Sequence, residues 1–332
     1  MTITIAICTR GRPDMLRRCL DHIRRARLDC VHEVVIVDQS ARPATPEELG
    51  ALDPGLLRYA WHPGRGLARA RNRALRMARG EIIAFTDDDC LVTPEWPEAI
   101  ARAFAASPAP DAVYGRVLAH EEPGRPIRYE HFVTPFGRIA YATRPPDEVC
   151  SGLIDHREPA VYTRPVMPIE HVGAGNNMAF RRTVFERHGL FIEQLGAGTP
   201  MHAGEDIELH IRLMRAGLAL RYDPSVLVYH DAWRTPAERA ALDDGYTTGG
   251  LAVHVAFALQ GEPLSREYLR YRFGSARREA ADTLAQGASG TAERKPANFY
   301  LNRARAMFAG IAGGALLALR RGQAVPRLDP HT

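Results

Sequence analysis

Lysine is almost missing from this chain: of 43 basic residues only Lys295 is a lysine. A Gly-x-x-x-x-Gly-Lys phosphate loop needs that residue directly after its glycines, so a P-loop NTPase is excluded. Cysteine is sparse as well. The five, at positions 8, 19, 30, 90 and 150, are odd in number and form no Cys-x-x-Cys. Neither a disulfide framework nor a zinc site is suggested. Long apolar runs are also lacking. The longest, 307–319, is shorter than the ~20 residues that span a bilayer. The opening MTITIAICTRGRP reads as a strand and a turn rather than a basic segment with an apolar stretch behind it. It is not read as a signal peptide, and a reducing cytoplasm is expected. Finally, there is no basic run. The net charge is +4, with 30 residues of each sign in the first 235 and the excess confined to the tail. Nucleic acid is therefore not an expected partner.

What is present is a chain 45% hydrophobic and 25% charged, the balance of a soluble globular protein. Residues 2–8, 33–38 (EVVIVD) and 81–86 (EIIAFT) read as buried strands. Residues 57–61 and 111–117 read as weaker ones. Helices are expected after Pro13, over 67–79 and over 94–106, where apolar residues recur at helical spacing. Strands alternating with helices predict an α/β fold with a mostly parallel sheet flanked by helices. From 118 to 172 the pattern breaks into Pro, Gly, Arg and His without a sustained period, and this is read as an irregular insertion. A helix over 205–216 and short strands at 218–222 and 226–229 follow. Beyond residue 235 only helical signals remain, giving a catalytic domain over 1–235 and a helical region over 236–332.

Four features carry chemistry. Asp87, Asp88 and Asp89 follow the strand EIIAFT directly. Three adjacent carboxylates repel one another unless solvated or neutralised, and ligands of open α/β sheets gather at this strand edge. A divalent cation held there and a solvated acidic turn fit the same residues. Asp38 ends a second strand, where it suits a nucleoside contact or a turn cap through Asp38-Gln39-Ser40. Glu205 and Asp206 open a helix whose N-terminus favours negative charge; a general base and a plain cap both fit. His230, in Val-Leu-Val-Tyr-His-Asp, is either a metal ligand or a structural histidine.

In order along the chain stand CTRGRP, VVIVDQS, GRGLARARNRAL, IIAFTDDDC, GAGNNMAFRR, GEDIELHIRLMRAG and YHD. Each motif is weak alone. Together, in this order and spacing, they resemble the family 2 glycosyltransferases of GT-A fold over residues 1–235. The resemblance implies an inverting transfer from a nucleotide-sugar donor to an acceptor hydroxyl of a glycan, lipid-linked or small molecule, with Mn²⁺ or Mg²⁺ as cofactor and a UDP-sugar favoured. It also implies roles by position. Thr9 and Arg10 line the nucleotide site, and Asp38 contacts the base. Arg71 and Asn72 hold the nucleotide side of the donor, and Asp87 and Asp88 touch ribose and sugar. Asp89 binds the metal with His230. Asn176 and Asn177 face sugar or acceptor. Asp206 is the base, with Glu205 beside it.

Two other classes remain in view. A nucleotidyltransferase shares the acidic strand edge, but CTRGRP lacks the glycines and lysine of its phosphate loop. A non-catalytic nucleotide-sugar binder would not need Glu205-Asp206. The chain also departs from relatives that carry transmembrane helices after the catalytic domain. In their place stands YLNRARAMFAGIAGGALLALRRG, read either as a helix packed in the protein or as a peripheral contact with the inner membrane face.

Overall fold

Ile and Val fill Ile3–Thr9 (β1), Val31–Asp38 (β2) and Ile82–Asp87 (β4) with scarcely a polar interruption, and nearly every residue of the three is buried. Such continuous apolar runs belong to strands covered on both faces, the environment of a parallel sheet. The computed structural model describes residues 1–50, 52–121, 128–134, 137–144, 148–150, 157–166, 172–231, 236–289, 297–320 and 325–329. It divides into two compact units. One comprises 1–193, 209–234 and 325–332, the other 194–208 and 235–324.

The first unit is built on a nine-stranded sheet. Besides β1, β2 and β4 it holds Leu57–Trp61 (β3), Cys90–Val92 (β5), Ala112–Ala119 (β6), Ala160–Tyr162 (β10), Asn177–Arg181 (β11) and Leu220–His230 (β12). The order is β10-β12-β6-β11-β4-β1-β2-β3, with β5 pairing to β12. β2 and β4 run parallel to β1, and β3 parallel to β2. β11 is antiparallel to both β4 and β6, and β12 is parallel to β6. The carboxyl ends of β1, β2, β3, β4, β6 and β12 therefore share one edge. The helices Pro13–Arg24 (α1), Leu67–Met77 (α3) and Trp96–Ala105 (α4) connect these strands. α1 starts on a proline and buries Leu16, Cys19, Leu20 and Ile23, one helical stripe. The short helices Pro46–Leu49 (α2) and Arg182–His188 (α5) complete the connections.

Two readings of the sequence differ from this. The interval 118–172, read as irregular, contains a three-stranded antiparallel sheet: Arg128–Thr134 (β7), Gly137–Arg144 (β8) and Glu148–Cys150 (β9). β7 and β8 are as long as β1 and β2, but their sequences RYEHFVT and GRIAYATR mix charged and apolar residues and lack the Ile/Val runs of the buried strands. The two strands expected at 218–222 and 226–229 are one strand, β12, with a register shift between Asp223 and Leu227. Pro224 cannot donate to the ladder, and Asp223 takes the Ser225 N–H and hydroxyl onto one oxygen, so the chain bulges and resumes. Opposite the bulge, a Cβ on Gly115 would lie 2.0 Å from the Val226 carbonyl oxygen and 2.2 Å from Asn177 Nδ2. Only glycine fits there.

The second unit is helical: Pro236–Leu259 (α7), Pro263–Ser289 (α8) and Ala297–Arg320 (α9), together with the start of Glu205–Arg215 (α6). α7 and α9 approach closely through glycines. A Cβ on Gly310 would meet the Thr248 carbonyl oxygen at 2.7 Å, and one on Gly314 the Ala252 carbonyl oxygen at 2.6 Å. Between α7 and α8, His254 is buried, with Nδ1 3.1 Å from Ser265 Oγ and its ring stacked on Tyr268.

Candidate active site at the carboxyl edge of the sheet

Register brings the acidic groups together. Thr9 lies opposite Asp38, and Cys8 opposite Asp87, so the ends of β1, β2 and β4 form one row. β12 adds His230, which pairs with Cys90 of β5, and the Asp231 N–H donates to the Asp89 carbonyl at 2.8 Å. The turn from β4 into β5 thereby places Asp89 against the end of β12. His230 Nε2 lies 3.5 Å from Asp89 Oδ1.

The three aspartates differ in environment. Asp88 is fully buried. Its Oδ2 accepts from Thr9 Oγ1 at 2.6 Å and from Arg12 Nε at 3.1 Å, while Arg12 Nη2 meets Oδ1 at 2.5 Å. Arg12 Nη1 reaches Asp89 Oδ2 at 2.9 Å, so one guanidinium spans two carboxylates. Asp87 is partly exposed and lies 3.5 Å from Nη2 of the buried Arg71. Burial pushes the Asp88 carboxyl up to about 7 against the pull of Arg12, and Asp87 upward against the pull of Arg71. Two guanidiniums thus face three crowded carboxylates.

Arg71 also donates to the Gly175 carbonyl at 2.9 Å and sits near the rings of Phe85 and Phe191. It ties the aspartate strand to the loop before β11. Asn72 faces away from that edge: Nδ2 donates to the Phe191 carbonyl and to Glu193, and Oδ1 accepts the Phe191 N–H. Asp38 is buried and accepts from Tyr59 Oη at 2.6 Å and from the Ser40 N–H at 2.8 Å, the turn-capping bond its sequence allowed. Asn177 is enclosed in the sheet, donating to the Arg116 and Val226 carbonyls and accepting from Trp96 Nε1. Its neighbour Asn176 is buried, and its Oδ1 has no hydrogen-bond partner among the described residues. Arg10 is exposed.

Glu205 and Asp206 form the first turn of α6, in the second unit. The chain reaches them through positive φ at His202 (61°) and at Gly204 (95°). Glu205 is buried against Gly196, where a Cβ would come within 2.9 Å of its Oε2. Asp206 is half-buried, and its Oδ1 accepts the Ile207 N–H at 2.8 Å.

Two residues were missed by the sequence reading. Arg12 is one: CTRGRP offers two arginines, and only the turn at Gly11, with φ 68°, separates the exposed Arg10 from the one on the aspartates. Cys90 is the other. Its sulfur, an Asp89 oxygen and a His230 nitrogen lie within 4.8 Å of one another.

Comparison with known proteins shows the fold and the family. A pre-mycofactocin glycosyltransferase of Mycobacterium tuberculosis (strain ATCC 25618 / H37Rv) is 29% identical over 233 residues, covering 69% of this chain and 42% of that protein. The chain thus spans about two fifths of that relative's length. Among solved structures, the mannosyltransferase PcManGT from Pyrobaculum calidifontis, in complex with GDP-Man and Mn²⁺, superposes with a TM-score of 0.54 at 19% identity. The match covers 97% of this chain and 88% of that one. TarS 1–349 of S. aureus, in complex with UDP-GlcNAc, gives 0.51 at 14% identity, covering 98% and 93%. These neighbours share the GT-A fold. The family model described as Glycosyl transferase family 2 matches residues 4–189, the span that carries β1, β2, the three aspartates and β11, and the chain therefore belongs to that family.

Proposed function

We propose that the chain transfers a sugar, with inversion, from a nucleoside-diphosphate sugar to an acceptor hydroxyl, that UDP is the favoured nucleotide, and that the reaction takes place in the cytoplasm. The observation that carries this reading is the approach of His230 to Asp89 at the sheet edge, beside an Asp88 already occupied by Arg12 and Thr9. Asp89 and His230 would hold Mn²⁺ or Mg²⁺. An oxygen and an imidazole nitrogen suit such a cation, and the imidazole favours Mn²⁺. The Cys90 sulfur, within 4.8 Å of both groups, is a third candidate ligand. A cation there supplies positive charge to the diphosphate leaving group.

The protein's own groups do the rest. Asp38, Thr9 and Arg10 would line the nucleotide, Arg71 would hold the nucleotide side of the donor, and Asp87 beside it, with Asp88, would contact ribose and sugar. Asn176, whose buried oxygen has no hydrogen-bond partner among the described residues, faces donor or acceptor, and Asn177 and Asn72 hold the surrounding backbone in place. The acceptor oxygen attacks C1, the bond from C1 to the diphosphate oxygen breaks, and Asp206 takes the hydroxyl proton. Glu205 binds the acceptor. The test is Asp206→Asn. Turnover should fall about a hundred- to ten-thousand-fold, while donor affinity stays at the wild-type value. Near wild-type turnover would remove Asp206 from the role, and an inactive Glu205→Gln beside it would assign the base to Glu205.

A further inference from the structure

α9 is apolar almost all round, yet its partner covers one side. Ala306, Gly310, Gly313, Gly314 and Leu317 are buried, with Gly310 and Gly314 against α7. On the opposite side Leu301 is 51% exposed, Phe308 74%, Leu316 59% and Leu319 80%. At ~100° per residue these four and Ala312 fall within an arc of about 80°. They form an apolar stripe along the helix, interrupted between Leu301 and Phe308 by the exposed Arg305. A helix so placed ordinarily presents polar residues to water, and exposed apolar surface of this extent marks a binding face.

Charge identifies the occupant. From Pro296 to Leu328 the chain has five arginines, at 303, 305, 320, 321 and 327, and no Asp or Glu, whereas its first 235 residues are neutral. A second copy seated on the same face would bring Arg305 up to its own counterpart. An anionic lipid surface offers apolar depth for Phe308 and Leu319 and phosphate for Arg305. Among the described residues no helix is long and apolar enough to cross a membrane, so such a helix would lie in the surface. We propose that the exposed face of α9 docks the protein on an anionic phospholipid membrane.

Sedimentation of the full chain with vesicles tests this. Wild type should sediment with vesicles of equimolar phosphatidylcholine and phosphatidylglycerol, weakly with phosphatidylcholine alone, and less as salt rises. Phe308→Ser with Leu319→Ser, both exposed, should leave the far-ultraviolet spectrum and melting unchanged. The pair should lower binding by on the order of a hundredfold, and Arg305→Glu should lower it by a smaller factor. No sedimentation by wild type, or undiminished binding by the double variant, would overturn the proposal. Equal binding to neutral vesicles would overturn the anionic surface. A dimer in solution that the double variant abolishes would overturn it in favour of a contact between copies.

Discussion

Among single residues, some groups hold the site and others are proposed to act in it. Asn177 belongs to the first kind: three hydrogen bonds fix it between β6, the β12 bulge and Trp96. Asn177→Ala should cost about 2–4 kcal/mol of stability, because it strands an indole N–H and two carbonyls in the interior. Gly115→Ala, which thrusts a methyl at the Val226 carbonyl, should cost about 3 kcal/mol or more. Urea melts of both variants check this, and wild-type midpoints would show that the bulge yields. Much of this scale was legible in the sequence for a physical reason. Asp87, Asp88, Asp89 and Asp38 are anchored at strand ends, and strand direction alone decides which edge they share. Arg12 was not legible, because a guanidinium on a flexible stem gains its meaning from the turn before it and from carboxylates ~76 residues distant.

At the scale of elements, strong periodicity and runs of buried β-branched residues transferred well: β1, β2, β4 and α1 lie where apolar patterning placed them. The exceptions have separate causes. β7 and β8 pair with each other in a hairpin, and local pairing of that kind leaves little trace in composition. β12 was read as two strands because Pro224 marks a break that the sheet absorbs as a bulge. The helical unit carries its own test. Burial, with Arg272 adding to it, lowers the His254 imidazole from 6.5 to about 3. In the unfolded chain this group gains a proton near pH 6.5 that the folded unit refuses until about pH 3. Its contribution to stability is therefore present above pH 6.5 and lost as pH falls through that window, at up to about 1.4 kcal/mol per pH unit. His254→Gln should flatten the fall in stability between pH 6 and pH 4, read by denaturant melts across that range. A variant slope equal to that of wild type would show that the histidine is protonated in the fold.

At the scale of the whole molecule, family membership and the shared sheet edge support the proposed sugar transfer, with the aspartate row proposed as the place where the donor's phosphates are met. The central claim is that Asp89, with His230, makes donor binding depend on a divalent cation. Arg12 bears on the same point, since its guanidinium spans Asp88 and Asp89. Arg12→Gln should lower UDP-sugar affinity by roughly tenfold, the effect of removing one cation near a diphosphate, while the protein stays folded, as equilibrium dialysis and circular dichroism would report. The most direct measurement is calorimetric titration of UDP-GlcNAc, UDP-glucose and GDP-mannose into wild type and Asp89→Ala, with and without Mn²⁺. The account predicts that wild type binds a nucleotide sugar more tightly with Mn²⁺, and that Asp89→Ala binds equally weakly in both conditions. Undiminished Mn²⁺-dependent binding by Asp89→Ala would contradict it.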